Sequence, residues 1–189
     1  MTDEESWQRF ERLAMPHLDA AYNLARWLTH DDHDAQDVVQ DAVMRAVRYI
    51  DGLRPETARG WFLQVVRNTC WTWLRANRPA GKVVFDDFDD AWQGIAAPAA
   101  DEPHVAAVCN ADRAQINAAI AALPIAYREV IVLRELEDCS YADIARIAEI
   151  PIGTVMSRLA RARGLLRVAL APRGRPVLHS VPVAARGRG

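Results

Sequence analysis

Apolar residues recur three and four apart over most of this chain, and strand-like alternation is weak throughout. Helices are therefore the expected building blocks, and packing helix on helix is how their apolar stripes are buried. The clearest stripe lies in Asp34–Ile50, where Ala35, Val38, Val39, Ala42, Val43, Ala46, Val47 and Ile50 share one side. Asp37, Gln40, Asp41, Met44 and Arg48 line the opposite face, and the preceding "HDDHDAQD" supplies N-caps. Upstream, about Glu5 to Leu28 reads as helix, kinked or split at Pro16. Downstream, "DGLRPETARG" reads as a loop, followed by a helix over about Trp61–Asn77. There Phe62, Val66, Thr69, Cys70 and Trp73 point one way, and Gln64, Asn68, Trp71 and Arg75 the other.

From Pro79 to about Val105 the period is lost in "RPAGKVV", the acidic "FDDFDD" and "IAAPAADEP", which read as a flexible linker. A second helical unit begins near Asn110, with "ADRAQINAAIAAL" stopped by Pro124 and "AYREVIVLRELED" following. "APRGRPVLHSVPVAARGRG" closes the chain as a disordered basic tail. The expected fold is all-α: two small helical domains joined by a flexible acidic linker.

The net charge of −2 says little, whereas the distribution of charge says more. After Glu149 there is no acid, while eight arginines follow. Between Glu56 and Asp86 only Arg59, Arg67, Arg75, Arg78 and Lys82 are charged. Three scattered cysteines, without CxxC or histidine at ligand spacing, fit a reducing cytosol better than zinc or disulfides. No apolar run approaches the roughly 20 residues that span a bilayer. "MTDEESWQRF" lacks a signal-peptide core, so an intracellular protein without direct membrane insertion is expected.

The stretch "YADIARIAEIPIGTVMSRLARARGLL" carries the sharpest signal. Ser140 and Asp143 have capping-box spacing, Ile144, Ala145 and Ala148 face inward, and "EIPIG" turns the chain. Pro151 suits the first position of the next helix, whose buried stripe is Val155, Leu159, Ala162 and Leu166. Thr154, Ser157, Arg158 and Arg161 fall together roughly 110° away. A helix-turn-helix has this form, with its second helix entering the major groove, where Arg and Ser suit base edges. A basic helix that is merely solvated would explain the charge, but not the cap, turn and one-sided polar face together.

"SYADIARIAEIPIGTVMSRLARAR" resembles the C-terminal DNA-reading domain of bacterial extracytoplasmic-function sigma factors. "DAQDVVQDAVMRAVR" and "GWFLQVVRNTCWTWLR" resemble the second sigma region, and the units stand in that family's order. The resemblance implies region 2 over 1–80, a linker over 81–106, region 4 over 107–171, and a tail over 172–189. It implies polymerase binding by Asp37, Gln40 and Asp41, a face that would otherwise read as ordinary solvated surface. It implies capture of a flipped minus-ten base by the loop Leu53–Gly60 and by Asn68. Around these stand Arg54, Arg59, Gln64, Arg67, Trp71 and Arg75. Extruding a base loses a few kcal/mol of stacking, and an aromatic partner returns about 1–3 kcal/mol. Trp71 is either such a platform or packs under the linker, and Trp73 is core.

For the minus-thirty-five element the resemblance implies reading by Met156, Ser157, Arg158, Ala160 and Arg161, with Tyr141 and Thr154 on phosphates. Many members of the family carry Arg or Lys where this chain has Met156. Arg163 and Arg167 are implied for DNA or polymerase. The implied partners are core RNA polymerase (beta-prime clamp helices and beta flap), promoter DNA and an anti-sigma factor. No cofactor or catalytic residue is implied. An activator with a similar C-terminal motif would need a ligand or phospho-acceptor domain, which is not readable here. A metal site at "HDDHD" (His30, Asp31, Asp32, His33, Asp34) lacks a second ligand cluster and reads as a helix cap.

Overall fold

The structure, a computed structural model, describes residues 2–77 and 105–171, with side chains from 112 onward in the second stretch. The linker acids Asp86 to Glu102, Trp92 and the basic tail lie outside the described residues. Helix α1, Asp3–Leu13, opens with a capping box in which Thr2 and Glu5 satisfy each other's backbone N–H groups. It ends before Pro16, which sits in a 3-10 turn, Met15–His17, ahead of α2, Leu18–Thr29. Of the two expected outcomes at Pro16, a kink or a split, the helix is split, because proline removes a donor and crowds the preceding turn. His30 turns the chain in the left-handed region, and Asp31 then caps α3, Asp32–Arg48, by accepting from the amides of His33 and Asp34. The acidic cluster is therefore a helix start. Asp32 is itself engaged by Arg26 and Tyr22.

Helix α4, Pro55–Asn77, starts six residues earlier than expected from Trp61, so "PETARG" is helix and only Asp51–Arg54 is loop. Pro55 explains this: its fixed φ suits the first helical position, where its missing N–H costs nothing. Gly52, at φ 73, supplies the left-handed step just before it. The core of this unit joins Phe10, Leu24, Leu28, Val38, Ala42, Phe62, Leu63 and Val66, all essentially inaccessible. Phe10 meets Phe62 edge-on at 5.5 Å, an arrangement that adds about 0.5–1.5 kcal/mol beyond area burial.

The second unit contains α5, Val105–Ala122, and α6, Ile125–Ile131, the latter running into a π-helical turn, Val132–Leu136. It closes with α7, Tyr141–Ala148, and α8, Ile152–Ala169. Val155, Leu159 and Ala162 form the buried stripe of α8, with Leu166 half-buried at its end. The two units do not stand apart: α4 packs against α7, and α2 against α6. Arg128 ties them, donating to the carbonyl of Trp27 on α2 and to those of Ala121 and Leu123 at the end of α5. A guanidinium there meets carbonyls that a helix C-terminus leaves unpaired.

Candidate nucleic-acid interface

The α7–turn–α8 segment has helix-turn-helix geometry, and local chemistry sets it. Ser140 accepts the Asp143 amide at 3.1 Å and donates its hydroxyl to the Asp143 carboxylate at 2.6 Å. Asp143 therefore turns to the hydroxyl and to Arg146 instead of closing the full reciprocal box. The Ser140 hydroxyl, aided by Arg146, holds that carboxyl below its usual range against the opposing pull of burial. Glu149 ends α7 in the left-handed region at φ 55, and Pro151 takes the position just before α8. On α8, Met156, Ser157 and Arg161 are exposed, and Thr154 and Arg158 half-buried. Tyr141 lies half-buried with the Arg134 guanidinium 5.5 Å from its ring centre. Arg163 is paired with Glu135 at 2.7 Å.

The polar stripe on α4 has a different setting. Glu149 accepts from Gln64 at 2.8 Å and from Asn68 at 3.1 Å. These two amides, Gln64 first, hold the Glu149 carboxyl below its ordinary range. Glu129 on α6, fully buried, accepts from Arg67 at 2.7 Å and from the Trp71 indole at 2.8 Å. Arg67 also donates to Asn68 and lies over the Trp71 ring. Arg59 reaches the backbone carbonyl and carboxylate of Glu137, and Asn23 of α2 donates to the same carboxylate. Arg54 and Arg75 are exposed.

Trp71 is 7 % exposed and packs, one of its two expected alternatives, though against the second unit where the linker was expected, while Trp73 is half-buried against the core as helical spacing implied. Spacing places Trp73 on the core face, and α4 is buried on a second side as well, which claims Trp71. Of the expected minus-ten loop, Pro55–Gly60 is helical. Sequence reasoning missed Asn23, Arg128, Glu129, Glu137 and Glu149. Glu129 alone had a signal: it precedes "VIVL", all buried, in the uniformly buried run 128–133.

On α3, Asp37, Gln40 and Asp41 are exposed as a group. Gln40 also borders an open groove of about 530 Å³ whose apolar walls include Trp7, Leu18, Val43 and Met44. Among the described residues no cluster of ligating side chains could hold a metal, and no helix is long and apolar enough to cross a membrane.

A capped helix-turn-helix beside a compact helical unit defines a two-part all-α protein of the DNA-binding type. The chain matches sigma-70 region 2 over residues 13–79 and sigma-70 region 4 over 113–166. It is 32% identical over 167 residues to the RNA polymerase sigma-H factor of Pseudomonas aeruginosa, covering 86% of each chain. With the ECF RNA polymerase sigma-E factor of Escherichia coli strain K12 it shares 34% over 134 residues, 69% of this chain and 70% of that one. The ECF RNA polymerase sigma factor SigE of Mycolicibacterium smegmatis is 29% identical over 171 residues, 89% of this chain, which spans 64% of that protein. Among solved structures, the sigma factor RpoE in complex with the anti-sigma factor NepR from Bartonella quintana superposes with TM-score 0.63 and 26% identity. That match covers 87% of this chain and 98% of the other. CnrH, in complex with the cytosolic domain of CnrY, shares the fold with TM-score 0.61 at 21% identity, over 91% of this chain and 98% of that one. The chain belongs to the extracytoplasmic-function RNA polymerase sigma factors.

Proposed function

We infer that this protein directs core RNA polymerase to a set of promoters and starts transcription by reading two promoter elements and opening the DNA. The observation that carries this is the pairing of a region-2 unit with a region-4 helix-turn-helix, in family order, on one chain. Members of this family are transcription initiation factors rather than enzymes. Its place of work would be the cytoplasm, with the polymerase.

Residues 1–80 would bind polymerase and handle the minus-ten element, and 107–171 would read the minus-thirty-five element, with 81–106 linking them. Asp37, Gln40 and Asp41 would meet the beta-prime clamp helices, which their shared exposure supports. Arg54, Arg59, Gln64, Arg67, Asn68, Trp71 and Arg75 would serve the minus-ten strand, all carried on α4 or the loop before it. Met156, Ser157, Arg158 and Arg161 would face base edges in the major groove, with Tyr141 and Thr154 on phosphates. Region 4 would also contact the beta flap. The complex of RpoE with NepR supports control by an anti-sigma factor.

Run-off transcription with purified core polymerase tests this directly. Addition of the chain should create discrete start sites on genomic fragments from its host. Equal transcript patterns with and without it would defeat the reading.

A further inference from the structure

The surface of α4 assigned above to the minus-ten strand is occupied, and its occupants are acids of the second unit. Glu149 takes the amides of Gln64 and Asn68. Glu129 takes the guanidinium of Arg67 and the indole of Trp71. Glu137 takes Arg59. The donors run from Arg59 to Trp71, about 18 Å of helix at 1.5 Å per residue. Guanidinium and amide donors are those that nucleic acids use at phosphates and base edges. A carboxylate offers them comparable anionic oxygens.

We propose that Glu129, Glu137 and Glu149 form an acidic decoy for single-stranded DNA, holding the reading face of α4 shut in the unbound protein. The proposal rests on the sigma-factor reading above and names the regulation of the same surface.

Two features set these contacts apart from incidental glue between units. Glu149 stands at φ 55, a left-handed position where Gly or Asn is less strained, and it aims its carboxylate at both reading amides. Closure also engages α4 donor by donor. It takes Arg59, Gln64, Arg67, Asn68 and Trp71 while Met156, Ser157 and Arg161 of α8 remain exposed and Arg158 is half-buried at the same junction. A contact serving only to hold the units together has no reason to choose the strand-reading donors. Competition follows from mass action: apparent affinity for a strand falls by the fraction of molecules that are open.

The test uses the full chain and fluorescence anisotropy of a labelled single DNA strand of mixed sequence at low salt. Glu137→Gln with Glu149→Gln should bind about tenfold more tightly than Asp112→Asn with Asp138→Asn, a control of equal charge change. The control carboxylates are exposed and belong to the same unit. Equal affinity of the two folded variants would overturn the decoy. Should the double variant lose helicity by circular dichroism, Glu149→Gln alone decides, with about threefold tightening expected and no change overturning the proposal. Co-elution of the wild-type chain with a bacterial core RNA polymerase is scored on the same preparations. Co-elution with unaltered strand affinity removes the decoy alone, whereas a folded chain that never co-elutes removes the sigma-factor reading beneath it.

Discussion

Glu129 has no exposed surface, and Arg67 and the Trp71 indole, both from the other unit, donate to its carboxylate. Removing one member of a buried pair strands the other, so Glu129→Ala should cost about 3 kcal/mol, read as a lower urea midpoint. Glu129→Gln, which keeps an acceptor for the indole, should cost visibly less. Cys139 lies under Arg59, whose guanidinium approaches its sulfur at 3.4 Å, while burial pushes the Cys70 thiol up to about 12. Burial also raises Cys139, with Arg59 opposing. These residues were the hardest to read from sequence. Helical spacing says which side of a helix Trp71 is on, but not that a second unit covers that side.

At the level of elements, the sequence was most legible where the chemistry is local. Ser140 before α7 and Pro151 before α8 depend on residues within one turn, and both stand where spacing put them or one position away. Ser140→Ala should cost about 1 kcal/mol by uncapping α7, seen as a lower melting temperature. The start of α4 was missed because "DGLRPETARG" was weighed by its breakers together, although Pro55 followed by Glu56 is a helix-start signal. Glu149→Gly should relieve left-handed strain and yet release Gln64 and Asn68. Thermal stability should change by less than about 1 kcal/mol because the two effects oppose. On α8, Arg161→Ala should cost about 1–3 kcal/mol in promoter binding and relax preference at one position. A promoter library selected with that variant would show an unaltered preference if Arg161 met only phosphate.

For the molecule as a whole, two helical units and their order were legible, but their packing on each other was not. The polar contacts that join them are pairs between residues 58 to 114 apart, which leave no periodic trace. They also bear on acid stability. Burial, with Arg59 nearby, holds His17 below its ordinary value, so the unfolded chain gains its proton first as pH falls. Stability should be full above the ordinary histidine range and decline as pH drops through it. His17→Gln should flatten that decline in urea titrations. With the roles proposed for α4 and α8, their uneven engagement would set a timetable for promoter search. On the proposed roles, Met156, Ser157 and Arg161, exposed on α8, would make the first encounter, so upstream contact would govern how often the protein arrives. The engaged donors of α4 would act only after the units part, so strand capture would wait on a second event, and brief visits to chance upstream matches would end without any base being drawn from the duplex.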